Sequence, residues 1–221
     1  TKFLGSGMLP PSAYVTYEHE YVLVLRKGGP RKFSQTERSR RRQSAYFWEE
    51  RNQWFSDLWS DLRGVEQGLG QEDKKIRSRS AAYPVELAWR LIQMFSLQGD
   101  TVLDPFLGTG TTMLAAMMSG RSSIGVERDP ALGPIMRQRF SQAVELGKER
   151  TEFRLSEHRK FIAERNRQRR KPKYAHPQLG TRVITAQETD LRLWRPISLE
   201  GSGFQRWKME LKLIEADSDK A

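Results

Sequence analysis

Leu87, Ala88, Leu91, Ile92 and Phe95 repeat at helical spacing behind Pro84, a residue suited to a helix start. The pattern predicts a helix that ends before Gly99. Residues 101–104 (Thr-Val-Leu-Asp) then read as a short strand, and Gly108 and Gly110 as a tight turn. Residues 111–119 form a second apolar helical stretch closed by Gly120. Residues 122–127 predict a second strand, and Pro130 opens a third helix reaching about Leu146. Strand, helix, strand and helix in about 45 residues predict an α/β fold with a doubly wound, mostly parallel sheet. Upstream, residues 20–26 (Glu-Tyr-Val-Leu-Val-Leu-Arg) read as a buried strand stopped by Gly28-Gly29-Pro30. Residues 31–44 read as basic loop, and residues 45–62 as an aromatic segment, short and helical or irregular, most of whose tryptophans fill core. Residues 63–79 return to Gly-rich, charged sequence. Residues 150–175 predict a long basic helix, followed by strand candidates at 181–185 and 207–214.

The chain has 221 residues, enough for one moderate α/β domain with extensions. No run of about 18 apolar residues exists, so no membrane span is expected. Cysteine is absent, which excludes disulfides, thiolate metal sites and thiol nucleophiles. His19, His158 and His176 are scattered, so no histidine metal centre is expected. The chain starts Thr1-Lys2-Phe3, with neither signal-peptide pattern nor initiator Met, and a cytoplasmic location is the simplest expectation. The net charge of +11 points to a polyanionic partner, although a basic soluble surface also fits it. The charge is concentrated in two tracts, which suits phosphate contacts. One runs from Arg26 to Arg42 and the other from Arg159 to Lys173.

The chemistry concentrates between Thr101 and Met113. A strand delivers Asp104 to its C-terminal end, where open α/β sheets bind ligands. Gly108 and Gly110 let the backbone approach a ligand closely, and Thr111 or Thr112 can cap the helix that follows. Glu127 ends the next strand and can accept hydrogen bonds from ribose hydroxyls. A phosphate-binding loop needs Gly-Lys-Ser/Thr, but Gly110 is followed by Thr111-Thr112. A dinucleotide fingerprint needs a third glycine where Met113 stands. A carboxylate at the strand end suits a cationic or zwitterionic ligand better than a pyrophosphate. S-adenosylmethionine, with its amino-acid end, ribose and sulfonium, fits best.

These segments resemble a known family. Asp104-Pro-Phe-Leu-Gly-Thr-Gly-Thr-Thr112 resembles the cofactor motif of DNA N4-cytosine and N6-adenine methyltransferases, and Ile124-Gly-Val-Glu-Arg-Asp-Pro130 resembles their ribose-holding motif. Arg79-Ser-Ala-Ala-Tyr-Pro-Val-Glu-Leu87 resembles the segment that packs on the methionine end, and Tyr17-Glu-His-Glu-Tyr-Val-Leu-Val-Leu-Arg-Lys27 a catalytic-domain strand. The order resembles the permuted group in which the catalytic region comes first. The resemblance implies the Rossmann-like fold of S-adenosylmethionine-dependent methyltransferases with a basic helical C-terminal extension. It implies that Ala82, Tyr83, Pro84, Asp104, Pro105, Phe106, Gly108, Thr109, Gly110, Thr111, Thr112, Glu127 and Arg128 bind the cofactor. His19, Glu20 and Tyr21 would shape a base pocket. Arg31, Lys32, Arg40, Arg41 and Arg42 in the first basic tract, and Arg167, Arg169 and Arg170 in the second, would contact DNA. Residues 1–27 would end the catalytic region, 28–78 recognise the target, 79–148 bind the cofactor and 149–221 form the extension.

The family's catalytic motif, Asp/Asn/Ser-Pro-Pro-aromatic, has no counterpart here. Leu9-Pro10-Pro11-Ser12 lacks both the polar residue and the aromatic, so no catalytic residue is assigned. In the permuted order the motif would precede Thr1. The expectation is therefore a C-terminal portion, a processed product or one subunit of a split restriction-modification enzyme, whose missing loop lies on an upstream segment or a second chain. Without Cys, attack at cytosine C5 is disfavoured against exocyclic amine transfer, with N4 of cytosine preferred to N6 of adenine on general resemblance. A non-catalytic subunit that binds S-adenosylmethionine and DNA, and a methyltransferase acting on RNA or protein, are the competing readings.

Overall fold

The computed structural model describes residues 20–62, 83–202 and 206–215. Two compact units divide the chain, Thr1–Phe33 and Ser34–Ala221. In the first, residues 20–26 form no strand, correcting the sequence expectation. They are exposed throughout, with Tyr21 at 84% and Leu25 at 89%. High β-propensity did not suffice, because a strand needs a ladder partner. Among the described residues none pairs with this segment.

The second unit opens on helix α1 (Gln35–Gln43), where a loop was expected. Ser34 and Glu37 form a reciprocal capping box, a signal legible in Ser-Gln-Thr-Glu. Helix α2 (Trp48–Trp54) and helix α3 (Val85–Phe95) follow, with Pro84 at the N-cap of α3. Strand β1 (Thr101–Asp104), helix α4 (Thr111–Met118) and strand β2 (Ser122–Gly125) form a parallel β-α-β unit, with Leu103 opposite Ile124. This is the Rossmann-like element of the expected α/β class. Its sheet has two strands among the described residues.

The predicted third helix divides. A 3₁₀ turn (Pro130–Leu132) leads into α5 (Gly133–Ser141), and after Gln142 the chain re-enters α6 (Ala143–Arg167). The long basic helix thus starts earlier and ends sooner than its charge pattern predicts. Two antiparallel hairpins follow, β3 (Tyr174–His176) with β4 (Thr181–Val183), and β5 (Trp194–Ser202) with β6 (Arg206–Leu213). Strands β4 and β6 match the two sequence candidates. Strands β3 and β5 were missed, and β5 carries Pro196 beside a register shift, which masks the strand pattern.

The main core joins α3 and α4 to the aromatic segment. Trp54, Trp89, Ile92, Leu114, Ala115, Ala116 and Phe140 are buried together. Trp54 meets Trp89 edge-on, with ring centroids 5.3 Å apart. Arginines of α6 cover these rings. The Arg150 guanidinium lies 4.2 Å from the Trp89 centroid, and Arg154 lies 5.1 Å from it. Both cations have acids: Arg150 meets Glu86 at 2.8 Å, and Arg154 grips Glu50 at 2.6 and 2.8 Å. Arg90 is paired with Glu86 and Asp61. The second core, Phe47, Leu155, Leu179, Val183, Leu191 and Leu193, binds α6 to the hairpin region.

On the other side of the parallel sheet Leu103 and Ile124 are exposed. Parallel sheets ordinarily have both faces covered.

The Glu50–Arg154 pair yields a prediction. Glu50→Ala leaves a buried guanidinium without its acid, which should cost about 3 kcal/mol in urea denaturation. The exposed pair Lys160–Glu157 should change stability by less than about 1 kcal/mol when Glu157 is replaced by Ala.

Candidate functional site

The parallel pairing carries beyond the strands and shapes the turn. Val126 N–H donates to Asp104 O and Leu107 N–H to Val126 O, both at 2.9 Å. Gly110 N–H then closes on Leu107 O at 3.0 Å, and Gly110 is the N-cap of α4. Its φ of 84° is left-handed, and a Cβ there would come within 2.7 Å of the Phe140 ring. Gly108 is also left-handed, at φ 54°, but a Cβ there would meet nothing nearer than Phe106 O at 4.0 Å. The backbone at Gly108 therefore borders open space. Gly110 is packed against α5.

Two carboxylates flank the turn. Asp104 is half-buried at the end of β1 and accepts the Phe106 N–H at 2.9 Å. Glu127 accepts Gly108 N–H at 2.7 Å through one oxygen and Asp129 N–H at 2.8 Å through the other. Each oxygen retains a further lone pair for an outside donor. Glu127 thus holds the turn as well as bordering it.

Tyr83, ahead of α3, reaches into the same cluster. Its hydroxyl lies 2.6 Å from Thr112 Oγ1 and donates to Asp104 Oδ2 at 3.5 Å. Burial, reinforced by the Asp104 charge, pushes the phenol above its ordinary value, so it remains a neutral donor. The sequence expectation that Thr111 or Thr112 caps α4 is not met, since no side chain caps this helix. Thr112 is turned to Tyr83, while Thr109 and Thr111 hold the Arg139 guanidinium through their side-chain oxygens. Sequence reasoning missed Arg139: it lies one helix away, in a stretch with no motif.

Of the other expected cofactor residues, Pro84 caps α3, while Pro105, Phe106 and Arg128 are exposed beside the turn, Phe106 at 88%. Ala82 and His19 lie outside the described residues. Glu20 and Tyr21 belong to the first unit and are exposed. So do Arg31, which stacks on Phe33 at 5.3 Å, and Lys32.

The remaining basic residues divide between fold and surface. Arg40 meets Glu37 at 3.8 Å and Asp100 at 3.5 Å, at the end of β1 opposite Asp104. Arg42 pairs with Asp190 and, like Arg41, is exposed. Arg167 meets Glu164 at 3.0 Å on an exposed turn of α6. Arg169 and Arg170 are exposed where α6 ends, Arg169 in a left-handed conformation at φ 58°.

His158 and His176 are core groups. His158 lies between Glu49 at 2.7 Å and Arg182 O at 2.8 Å and stacks on Phe47. His176 takes the Leu179 N–H at Nδ1, so its Nε2–H donates to Leu191 O at 2.8 Å. Burial lowers its proton affinity and keeps this tautomer neutral. Among the described residues, no helix is long and apolar enough to cross a membrane.

Asp104 ends β1, whereas β2 ends at Gly125, two residues before Glu127 and sooner than the sequence predicts. A parallel β-α-β unit with a glycine turn between two such acids is the arrangement at which open α/β sheets bind ligands. Residues 2–136 match the profile of the family described as DNA methylase, and the chain belongs to that family. It is 54% identical over 197 residues to the type II methyltransferase M.MthZI of Methanothermobacter thermautotrophicus, covering 89% of this chain and 54% of that protein. It is 53% identical over 138 residues to M.MjaI of Methanocaldococcus jannaschii, covering 62% of this chain and 44% of that one. The chain therefore spans about half the length of these relatives. A putative DNA modification methylase of Thermus thermophilus, solved with S-adenosyl-L-methionine, aligns at 37% identity with a TM-score of 0.41, over 53% of this chain and 40% of that one.

The two glycines should respond differently to a methyl group. Gly108→Ala should cost about 1 kcal/mol, from its backbone conformation alone. Gly110→Ala adds the clash with Phe140 and should cost about 3 kcal/mol. Thermal unfolding of both variants checks the order.

Proposed function

We propose that this chain is the cofactor-binding part of an S-adenosylmethionine-dependent DNA amino-methyltransferase. The observation that carries the reading is the open approach at Gly108 between the Asp104 and Glu127 carboxylates. The residues present fit the cofactor. A Cβ at Gly108 would project into the space beside the turn, so glycine there leaves room for a ligand against the backbone. Two acids suit a ligand with ribose hydroxyls and positive charge.

When bound, S-adenosylmethionine supplies an electrophilic methyl group for an exocyclic amine. The chain's own residues bind and orient. Glu127 accepts hydrogen bonds from the ribose hydroxyls while its amide bonds keep the turn in place. Asp104 offers negative charge toward the cationic end, with Tyr83 fixing one of its oxygens. Pro84, Pro105, Phe106 and Arg128 complete the walls, and Ala82 is proposed as a further cofactor-binding residue. Such direct transfer rests mainly on positioning, so the site needs no strong base.

DNA is the proposed substrate, with the base turned out of the duplex and N4 of cytosine preferred to N6 of adenine. His19, Glu20 and Tyr21 are proposed for the base pocket. The two basic tracts are proposed for the phosphates, within a prokaryotic cytoplasm. The segment 28–78 is the proposed target-recognition region, although its Phe47 and Trp54 are core residues. The sequence lacks a Pro-Pro-aromatic loop with a polar residue before it. We therefore assign that loop to further polypeptide, on the same chain or a second one. The bare Leu103 and Ile124 face supports such a completion. The missing loop also favours a second reading, a non-catalytic subunit that binds cofactor and DNA.

Calorimetric titration tests the proposal. The chain should bind S-adenosylmethionine and not ATP, and Asp104→Ala should weaken binding by about 2 kcal/mol, or roughly thirtyfold. Binding of ATP in its place, or unchanged binding by Asp104→Ala, would sink the assignment. The isolated chain should not methylate duplex DNA. Once completed by the upstream portion of a relative, it should yield N4-methylcytosine in nucleoside mass spectrometry. Cofactor binding with no methylation after completion would favour the non-catalytic reading, and transfer to RNA would redirect the substrate class.

A further inference from the structure

Arg139 of α5 stands apart from the other arginines of the interior. Arg90, Arg150 and Arg154 each meet a carboxylate. Arg121 is buried, but carbonyls of Ser96 and Ser119 satisfy it, and Asp100 offsets its charge. Arg139 is partly buried, and no carboxylate lies within 4 Å of it among the described residues. One of its nitrogens, Nη1, donates to Thr109 O at 3.2 Å, to Thr111 Oγ1 at 3.1 Å and to Thr109 Oγ1. Its Nε and Nη2 have no acceptor among the described residues. Burial pushes the guanidinium below its ordinary value, with Tyr83 the group that opposes the shift. The side chain nevertheless stays charged at neutral pH.

A partly buried cation with no acid is unfavourable, and proteins ordinarily pair such a charge. Among the described residues no acid pairs it, and the turn that it holds borders open space. Thr109 and Thr111 flank Gly110, and Tyr83 links the same cluster to Asp104. The two acids of the site serve the ribose and the cationic groups of a ligand, which leaves an anionic group to be matched. The amino-acid end of S-adenosylmethionine has one, its carboxylate.

We infer that Arg139 has two tasks at this site: it pins the Thr109–Thr111 turn, and it supplies the counter-charge for the carboxylate of the cofactor's amino-acid end. This rests on the cofactor reading above and extends it to a residue outside the glycine motif. It is a positioning residue for the turn and an electrostatic partner for the ligand.

The test compares two nucleosides with the intact chain, by calorimetry. S-adenosylhomocysteine has the carboxylate, while 5′-methylthioadenosine lacks the whole amino-acid end. Arg139→Met should weaken S-adenosylhomocysteine by about tenfold or more and 5′-methylthioadenosine by no more than about twofold. Arg139→Lys should recover part of the first loss. Arg139→Gln, which can still donate to the threonines, should behave like Arg139→Met and guards against a collapsed turn; thermal unfolding of each variant reports the fold. Equal losses for both nucleosides would reduce Arg139 to a structural pin and overturn the inference, as would no loss for either. If the wild-type chain binds neither nucleoside, the cofactor reading itself fails and takes this inference with it.

Discussion

The hydrogen bond from Gly108 N–H to the Glu127 carboxylate joins the two halves of the β-α-β unit where they matter most. β1 and β2 run in register from Thr101 opposite Ser122 to Asp104 opposite Gly125. The ladder continues through Val126 and Leu107, then passes to the Glu127 side chain. Without that last bond, two short strands would end in a loose glycine loop. With it, the loop is fixed from one side by Glu127 and from the other by Arg139. Both acids of the site then stand at defined positions about one turn.

The same economy governs the packing around the site. Trp54 and Trp89 bring α2 against α3, Phe47 joins the start of α2 to α6 and the hairpin region, and the α6 arginines cover these rings. Cations on aromatic faces gain from the ring quadrupole, but only the acids Glu50 and Glu86 make their burial tolerable. The basic composition therefore has two destinations. Part of the charge is consumed inside the fold by specific carboxylates. The rest, including Arg169 and Arg170, remains exposed at the surface. Net charge alone does not separate the two.

Residue pattern determined the local architecture near the site. Periodicity and the Pro84 and Gly99 boundaries gave α3; the run from Thr101 to Glu127 gave β1, α4 and β2 in order. The Asp104, Gly108, Gly110 and Glu127 set was legible because its spacing is local, all within one β-α-β unit. Family membership was legible for the same reason. The capping box at Ser34 was equally local and went unread beneath the charge of its arginines.

Only the tertiary structure decided the rest. Residues 21–25 (Tyr-Val-Leu-Val-Leu) read as a strand, yet strand formation depends on a partner that local sequence does not specify. Arg40 and Arg154 look alike in composition, but Asp100 and Glu50 occupy them through contacts across the fold. Arg139 lies 30 residues from Thr109 and reaches it only because α5 folds back under the turn. Side-chain roles set by neighbours distant in sequence are fixed by packing, whereas a turn, a cap or a helix face is fixed by residues a few positions apart.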